Sequence, residues 1–180
     1  ATLSNAIGQG EVLLTPIQLA NMTATIANRG WYYTPHMIKE IDGKPIKDKR
    51  FIKKHHTTID PENFEPVVEG MHQVYKNGTA SSLQIEGIEI AGKTGTAENF
   101  VRVNGKRMQL TDHSIFVAFA PVDNPKIAIA VFVENGYWGG RYGGKIASLM
   151  IEKHIKGEIT RTDLEDWILT HSLEEEYAKP

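Results

Sequence analysis

Lys93, Thr94, Gly95 and Thr96 put an ammonium, two hydroxyls and a bare backbone position into four consecutive residues. On an extended chain alternate side chains point to opposite faces, so Lys93 and Gly95 share one side and Thr94 and Thr96 the other. No pocket lying over a single face can use all four, but a site along the strand's edge can. There the backbone of Thr96 is open to pairing with an extended peptide, and Gly95 lets that peptide approach closely. A lysine alongside supplies positive potential, and a backbone N–H aimed at a developing oxyanion stabilises it. A Lys-Thr-Gly triplet is weak evidence by itself, since average composition puts a lysine, a hydroxyl residue and a glycine in a row in about every tenth chain of this size. A strand that merely carries glycines at a bulge is the plainer alternative, and the surrounding sequence has to decide.

Other residues of chemical character read as structural. Gly8-Gln9-Gly10 is followed by Leu13 where a dinucleotide loop needs glycine, and no P-loop lysine follows. His55 and His56 are adjacent and point apart on a strand, with no acidic or thiol partner at metal-binding spacing. His113, beside Asp112, opens an apolar strand and reads as a local hydrogen-bonding group rather than a proton shuttle. Asp163, Glu165, Asp166 and the run Glu174 to Glu176 make a solvated acidic helix face. Gly139, Gly140, Gly143 and Gly144 around Arg141 and Tyr142 are accounted for by backbone freedom. Trp167 lies on an apolar stripe and is open to docking either on the body of the protein or on a partner.

The elements that must position the lysine strand follow from composition and periodicity. The 180 residues, 41% hydrophobic, suffice for one core that hides roughly 70% of the unfolded surface. A net charge of −2, with 20 basic and 22 acidic residues spread along the chain, gives no basic face for nucleic acid or anionic lipid. There is no cysteine, hence no disulfide or thiolate metal site, and no cofactor motif. No apolar run approaches membrane-spanning length, and the opening "ATLSNAIGQG" has neither an initiator Met nor a signal-peptide pattern, so the chain is expected to continue upstream.

Thr15-Pro16 caps a helix that runs to Gly30 and is apolar nearly all the way round, so burial on most sides is expected. A polar, lysine-rich stretch around an Asp42-Gly43 turn reads as a solvated hairpin or loop. Asp60-Pro61 starts a second helix closed by Asn77-Gly78, and a short helix is expected from Thr79 to Leu83. "SIFVAFAP" and "KIAIAVFVE", joined by "VDNP", read as an antiparallel pair that is apolar on both faces and needs cover above and below. A further helix, "KIASLMIEKHI", is expected to bury Ala147, Met150, Ile151 and His154, and a last one to start in a capping box of Thr162 and Glu165. Its stripe is Leu164, Trp167, Ile168 and His171. The fold class is mixed α/β of the α+β kind, an antiparallel sheet covered by helices on both faces.

Three strings in this order, "GQGEVLLTPIQLANMTATIANRG", "NGTASSLQIEGIEIAGKTGTAE" and "DHSIFVAFAPVDNPKIAIAVFVENG", resemble the C-terminal half of the transpeptidase domain of class B penicillin-binding proteins. The likeness runs from about Thr2 to Gly157, and its "NGTA", "KTGTA" and "FAP…NP" blocks are most like the elongation-type penicillin-binding protein 2. It implies a β-lactamase-like fold, a transpeptidase segment over 1–157 and a helical extension over 158–180. It also implies that Gln9 packs behind the site. Lys93, Thr94, Gly95 and Thr96 would line the active-site strand of a D,D-transpeptidase. Thr94 and Thr96 would bind the terminal carboxylate of a D-Ala-D-Ala stem peptide or a β-lactam, the Thr96 N–H would complete the oxyanion hole, and Lys93 would assist proton transfer. By the same resemblance the whole protein is anchored by an N-terminal segment, works on the extracytoplasmic side of a bacterial inner membrane, in the periplasm, and partners a glycosyltransferase of the elongation machinery.

The departure from the family pattern is large. No serine here is followed three residues later by lysine, and none begins S-x-N. The nucleophile, its lysine base and the second serine motif are expected upstream of Ala1, which leaves this chain one wall of the site. A non-catalytic β-lactam sensor, or a pseudo-enzyme that kept the sheet, would carry the same strand.

Overall fold

A computed structural model describes residues 3, 6, 8 and 10–174. Helix α1 spans Pro16–Ala27. The backbone N–H and hydroxyl of Thr15 both donate to the Gln18 side-chain carbonyl, at 2.8 and 3.0 Å. Proline in the first turn forfeits no hydrogen bond, because that N–H has no partner within a helix. The chain then forms a small lobe of β1 (Trp31–Tyr32), a hairpin of β2 (Glu40–Ile41) and β3 (Lys44–Pro45), the single turn α2 (Lys49–Ile52), and β4 (His55–His56), which returns antiparallel to β1. Asp42 and Gly43 carry φ of 50° and 71°, the left-handed pair whose twist suits a two-residue hairpin.

A 3₁₀ turn over Pro61–Phe64 leads into α3 (Glu65–Lys76), with Pro66 safely in its first turn. The short helix expected after it is a single 3₁₀ turn, Ser81–Leu83. Then come β5 (Ala91–Ala97), an exposed hairpin of β6 (Phe100–Val103) and β7 (Lys106–Gln109), β8 (His113–Ala120) and β9 (Ile127–Val133). Strands β5, β8 and β9 form one antiparallel sheet in that spatial order. Helices α4 (Gly143–Lys156) and α5 (Thr162–Thr170) complete the described elements.

The sheet has a buried apolar cluster on each face, in keeping with its two-sided apolar pattern. On one, Phe116, Ala118 and Ile129 pack with Leu83, Tyr75 and the α4 residues Ala147 and Ile151. On the other, Ala91 and Phe119 pack with Ala27 of α1 and Val68 and Met71 of α3. Helix α3 thus serves both clusters from beside β5. Phe116 and Phe119 are wholly buried, each contributing on the order of 2–3 kcal/mol of transfer free energy.

Three expectations are corrected. Helix α1 is not buried on most sides: Thr23 and Ala27 are buried, whereas Ile17 is 58% and Met22 44% exposed, because the helix meets the sheet along one stripe. Helix α4 buries Ala147, Ser148, Ile151 and Glu152, while Met150 and His154 face outward. Its inward stripe starts at Gly144, where an added Cβ would lie 3.3 Å from the Phe116 ring and 2.5 Å from Leu83. That close approach sets the helix rotation, and a stripe that begins on glycine is invisible to a count of apolar residues. No capping box forms at α5 either: Thr162 is the first helical residue, and the Glu165 N–H donates to the Arg161 carbonyl.

Candidate active site

Strand β5 is an edge, hydrogen-bonded to β8 on one side and to no other strand among the described residues. Its register sets Lys93 opposite Val117, Thr94 opposite Phe116, Gly95 opposite Ile115 and Thr96 opposite Ser114. Cross-strand partners share a face. The Thr94 and Thr96 face is therefore the one on which Phe116 and Ser114 are buried, with the loop before α4 lying over it. The Lys93 and Gly95 face continues through Ile115 and Val117 to Ala130 and Phe132, and it stays partly open, with Phe132 41% exposed.

The glycines of β5 have different causes. At Gly92 a Cβ would come within 2.9 Å of the Tyr75 ring and 2.8 Å of the Val117 carbonyl, so core packing alone demands glycine there. At Gly95 the nearest atom to an added Cβ is the Ile115 Cβ at 3.3 Å, a tight contact that a small shift relieves. Packing constrains Gly95 less than Gly92, and its bareness leaves the backbone accessible on the partly open face. Gly95→Ala is accordingly expected to stay within about 1 kcal/mol of the parent in urea unfolding. A fall of several kcal/mol would show that the fold itself requires glycine there.

The four residues singled out from sequence sit together on this edge strand, each with a local tether. Lys93 is exposed, and its Nζ donates to the Thr94 carbonyl at 2.8 Å. The Thr94 hydroxyl lies 3.1 Å from the Thr79 hydroxyl, and the Gly139 N–H donates to the Thr96 hydroxyl at 3.3 Å. A hollow of 310 Å³ opens beside Thr96, walled by Leu110, Tyr137 and Trp138 and carrying the Asp112 carboxylate. Asp112 accepts from the Asn99 N–H at 3.3 Å and from Gln109 Nε2 at 3.1 Å. The arrangement offers hydroxyls, one ammonium and the edge of a sheet to an extended ligand, and an aromatic wall beside it.

Thr79, Tyr137, Trp138 and Asp112 were not anticipated as neighbours of the strand. Thr79 alone had a signal, as a hydroxyl residue just past the Asn77-Gly78 helix stop. His113 does begin β8, and its Nδ1 accepts the Asn135 N–H at 3.0 Å, the local role expected. His55 stacks on Tyr32 with ring centroids 5.2 Å apart. Trp167 docks on the body, 5.2 Å from the Tyr142 ring, with Lys145 Nζ 3.3 Å over its face. Gln9 lies outside the described residues.

The fold is an antiparallel sheet with helices on both faces and a lysine-threonine-glycine strand at its edge. Residues 1–155 match the Penicillin binding protein transpeptidase domain, and the chain belongs to that family. Within it the likeness is to the type-2 penicillin-binding proteins. The peptidoglycan D,D-transpeptidase MrdA of Acinetobacter baumannii is 39% identical over 158 residues, which are 82% of this chain and 23% of that protein. Penicillin-binding protein 2 of Pseudomonas aeruginosa, in complex with WCK 5153, superposes with a TM-score of 0.67 at 36% identity, covering 89% of this chain and 34% of that one. The ceftriaxone acyl-enzyme of penicillin-binding protein A from Mycobacterium tuberculosis gives a TM-score of 0.69 at 32% identity, over 83% and 34%. The chain thus spans about a quarter of the length of curated relatives such as MrdA. Among the described residues no helix is long and apolar enough to cross a membrane.

Proposed function

We propose that this chain is the substrate-binding wall of a serine-type peptidoglycan D,D-transpeptidase of the elongation type. The observation that carries the reading is the position of β5 at the sheet's edge, with β8 its one neighbouring strand among the described residues, and with Lys93, Thr94 and Thr96 in a strand thinned by Gly92 and Gly95. An extended stem peptide pairs with that edge, and its terminal D-Ala carboxylate is received by the Thr94 and Thr96 hydroxyls. A serine from an S-x-x-K motif outside these 180 residues attacks the penultimate D-Ala carbonyl, and the Thr96 N–H stabilises the oxyanion. D-Ala leaves with a proton, and the ester is resolved by an amine of a neighbouring stem peptide, which returns the proton to the serine. Lys93 keeps positive potential beside the carboxylate and assists those proton transfers. β-Lactams enter the same edge and stop at the acyl-enzyme.

The transpeptidase segment is taken as 1–157 and the extension as 158–180. The whole protein is placed on the extracytoplasmic side of the inner membrane, anchored by its N-terminal part and paired with a glycosyltransferase of the elongation machinery. The full-length gene product is expected to label covalently with fluorescent penicillin, and the 180-residue chain by itself is not. Labelling of the isolated chain would overturn the assignment of the nucleophile. In the full-length product Lys93→Ala is expected to slow acylation about 100-fold, and an unchanged rate would remove Lys93 from the mechanism.

A further inference from the structure

Trp138 separates two hollows. One is the space beside Thr96 already described, and the other, of 370 Å³, lies between Trp138 and Trp167 with Thr79, Ser82, Arg141 and Lys145 along it. The volume is within the roughly 300–1,000 Å³ of small-ligand sites. Trp138 is 55% exposed and offers an indole face, with the Arg141 guanidinium 5.0 Å from its ring centre. Trp167, with Lys145 Nζ 3.3 Å over its ring and His171 stacked at 4.3 Å, forms the far wall. Trp167 belongs to α5, which follows residues 1–155, so this wall is supplied by the C-terminal segment.

The lining selects a ligand by its chemistry. It holds two hydroxyls, two cations and two indoles, and neither a carboxylate nor a long aliphatic side chain. Cations along the groove disfavour an amine-bearing ligand, and the hydroxyls and N–H donors reward one rich in oxygen acceptors. An exposed indole face beside such donors suits the C–H face of a pyranose ring, which stacks on it while its hydroxyl and acetamido oxygens take the hydrogen bonds. The groove also reaches the lysine strand, because Thr79 lines it and its hydroxyl lies 3.1 Å from that of Thr94.

We infer that this groove is a saccharide subsite, which holds an N-acetylated amino-sugar unit of the glycan strand while the attached stem peptide occupies the β5 edge. The inference rests on the transpeptidase reading for the identity of the glycan, and on the groove alone for the class of ligand. Its test is titration of the full-length gene product with the β-1,4-linked trimer of N-acetylglucosamine, following the tryptophan indole N–H signals by NMR and affinity by calorimetry. Saturable binding is expected, weakened about tenfold in Trp138→Ala and several-fold in Lys145→Gln, which leaves the packing of α4 in place. No binding, or binding unaltered in both variants, overturns the subsite. Penicillin labelling is read separately: its failure while the trimer still binds would sink the transpeptidase reading and leave the saccharide groove standing.

Discussion

Replacing Gly139 by alanine is expected to lower the unfolding free energy by about 3 kcal/mol and to lift the loop before α4 away from β5. An alanine Cβ there would lie 2.5 Å from the carbonyl oxygens of both Gly95 and Ile115 and 2.7 Å from the Gly95 nitrogen. These are backbone atoms in the middle of the β5–β8 pairing, so no rotamer change relieves the clash, and either the ladder or the loop has to move. Backbone strain is not the cause, since Gly139 is absent from the glycines with positive φ. The matched control is Gly140→Ala, whose Cβ would meet nothing closer than the Thr79 carbonyl at 3.6 Å and should change stability by less than about 0.5 kcal/mol. Urea unfolding distinguishes them: the Gly139 variant should shift its midpoint at unchanged slope. Equal midpoints would mean that the loop does not ride on the strand. The consequence reaches the site, because Gly139 is also the N–H donor to the Thr96 hydroxyl.

That dependence marks the limit of what residues alone reveal. The strand itself was legible, since Lys93, Thr94, Gly95 and Thr96 are contiguous and their edge position followed from alternation. So was the β8–β9 pair, where an apolar pattern on both faces and the Val-Asp-Asn-Pro connection leave little choice of topology. Gly139 looked like one of four glycines that needed only backbone freedom, because the atoms it touches come from two strands at distant sequence positions. Thr79 and Trp138 were missed for the same reason, each reaching the site from a loop whose path is set by packing. The rotation of α4 was misjudged because glycines, serine and a glutamate occupy its inward stripe. Helix α1 was misjudged in the opposite sense, since apolar residues all round a helix report hydrophobicity and not which stripe meets the sheet.

The glutamate on that stripe carries the second large effect. Glu152→Ala is expected to lower stability by about 3 kcal/mol at pH 7. Glu152 is fully buried, accepts from the Thr160 hydroxyl at 2.6 Å and from Arg161 Nε at 3.0 Å, and has Lys156 Nζ at 3.8 Å. Removing the carboxylate strands a hydroxyl and a guanidinium whose Nη2 is already buried without a hydrogen-bond partner. Arg161 is 23% exposed, so solvent recovers part of its charge and the loss falls at the low end for a broken buried pair. Burial by itself raises the Glu152 pKa, but the hydrogen bonds from Thr160 and Arg161 and the Arg161 charge outweigh it and hold the carboxyl below its ordinary 4.5. A folded-state pKa below the unfolded one means that the stabilisation is complete above about pH 4.5 and is lost as pH falls through the lower, folded value. Glu152→Gln keeps the volume and one acceptor but cannot ionise, so its deficit against the parent should be constant from pH 7 to about 5 and shrink below that. A deficit that stayed constant down to pH 3 would show that the ionised carboxylate is not what ties α4 to the segment leading into α5. The tie matters beyond stability, because Arg161 immediately precedes the helix that carries Trp167, the far wall of the groove beside Thr79.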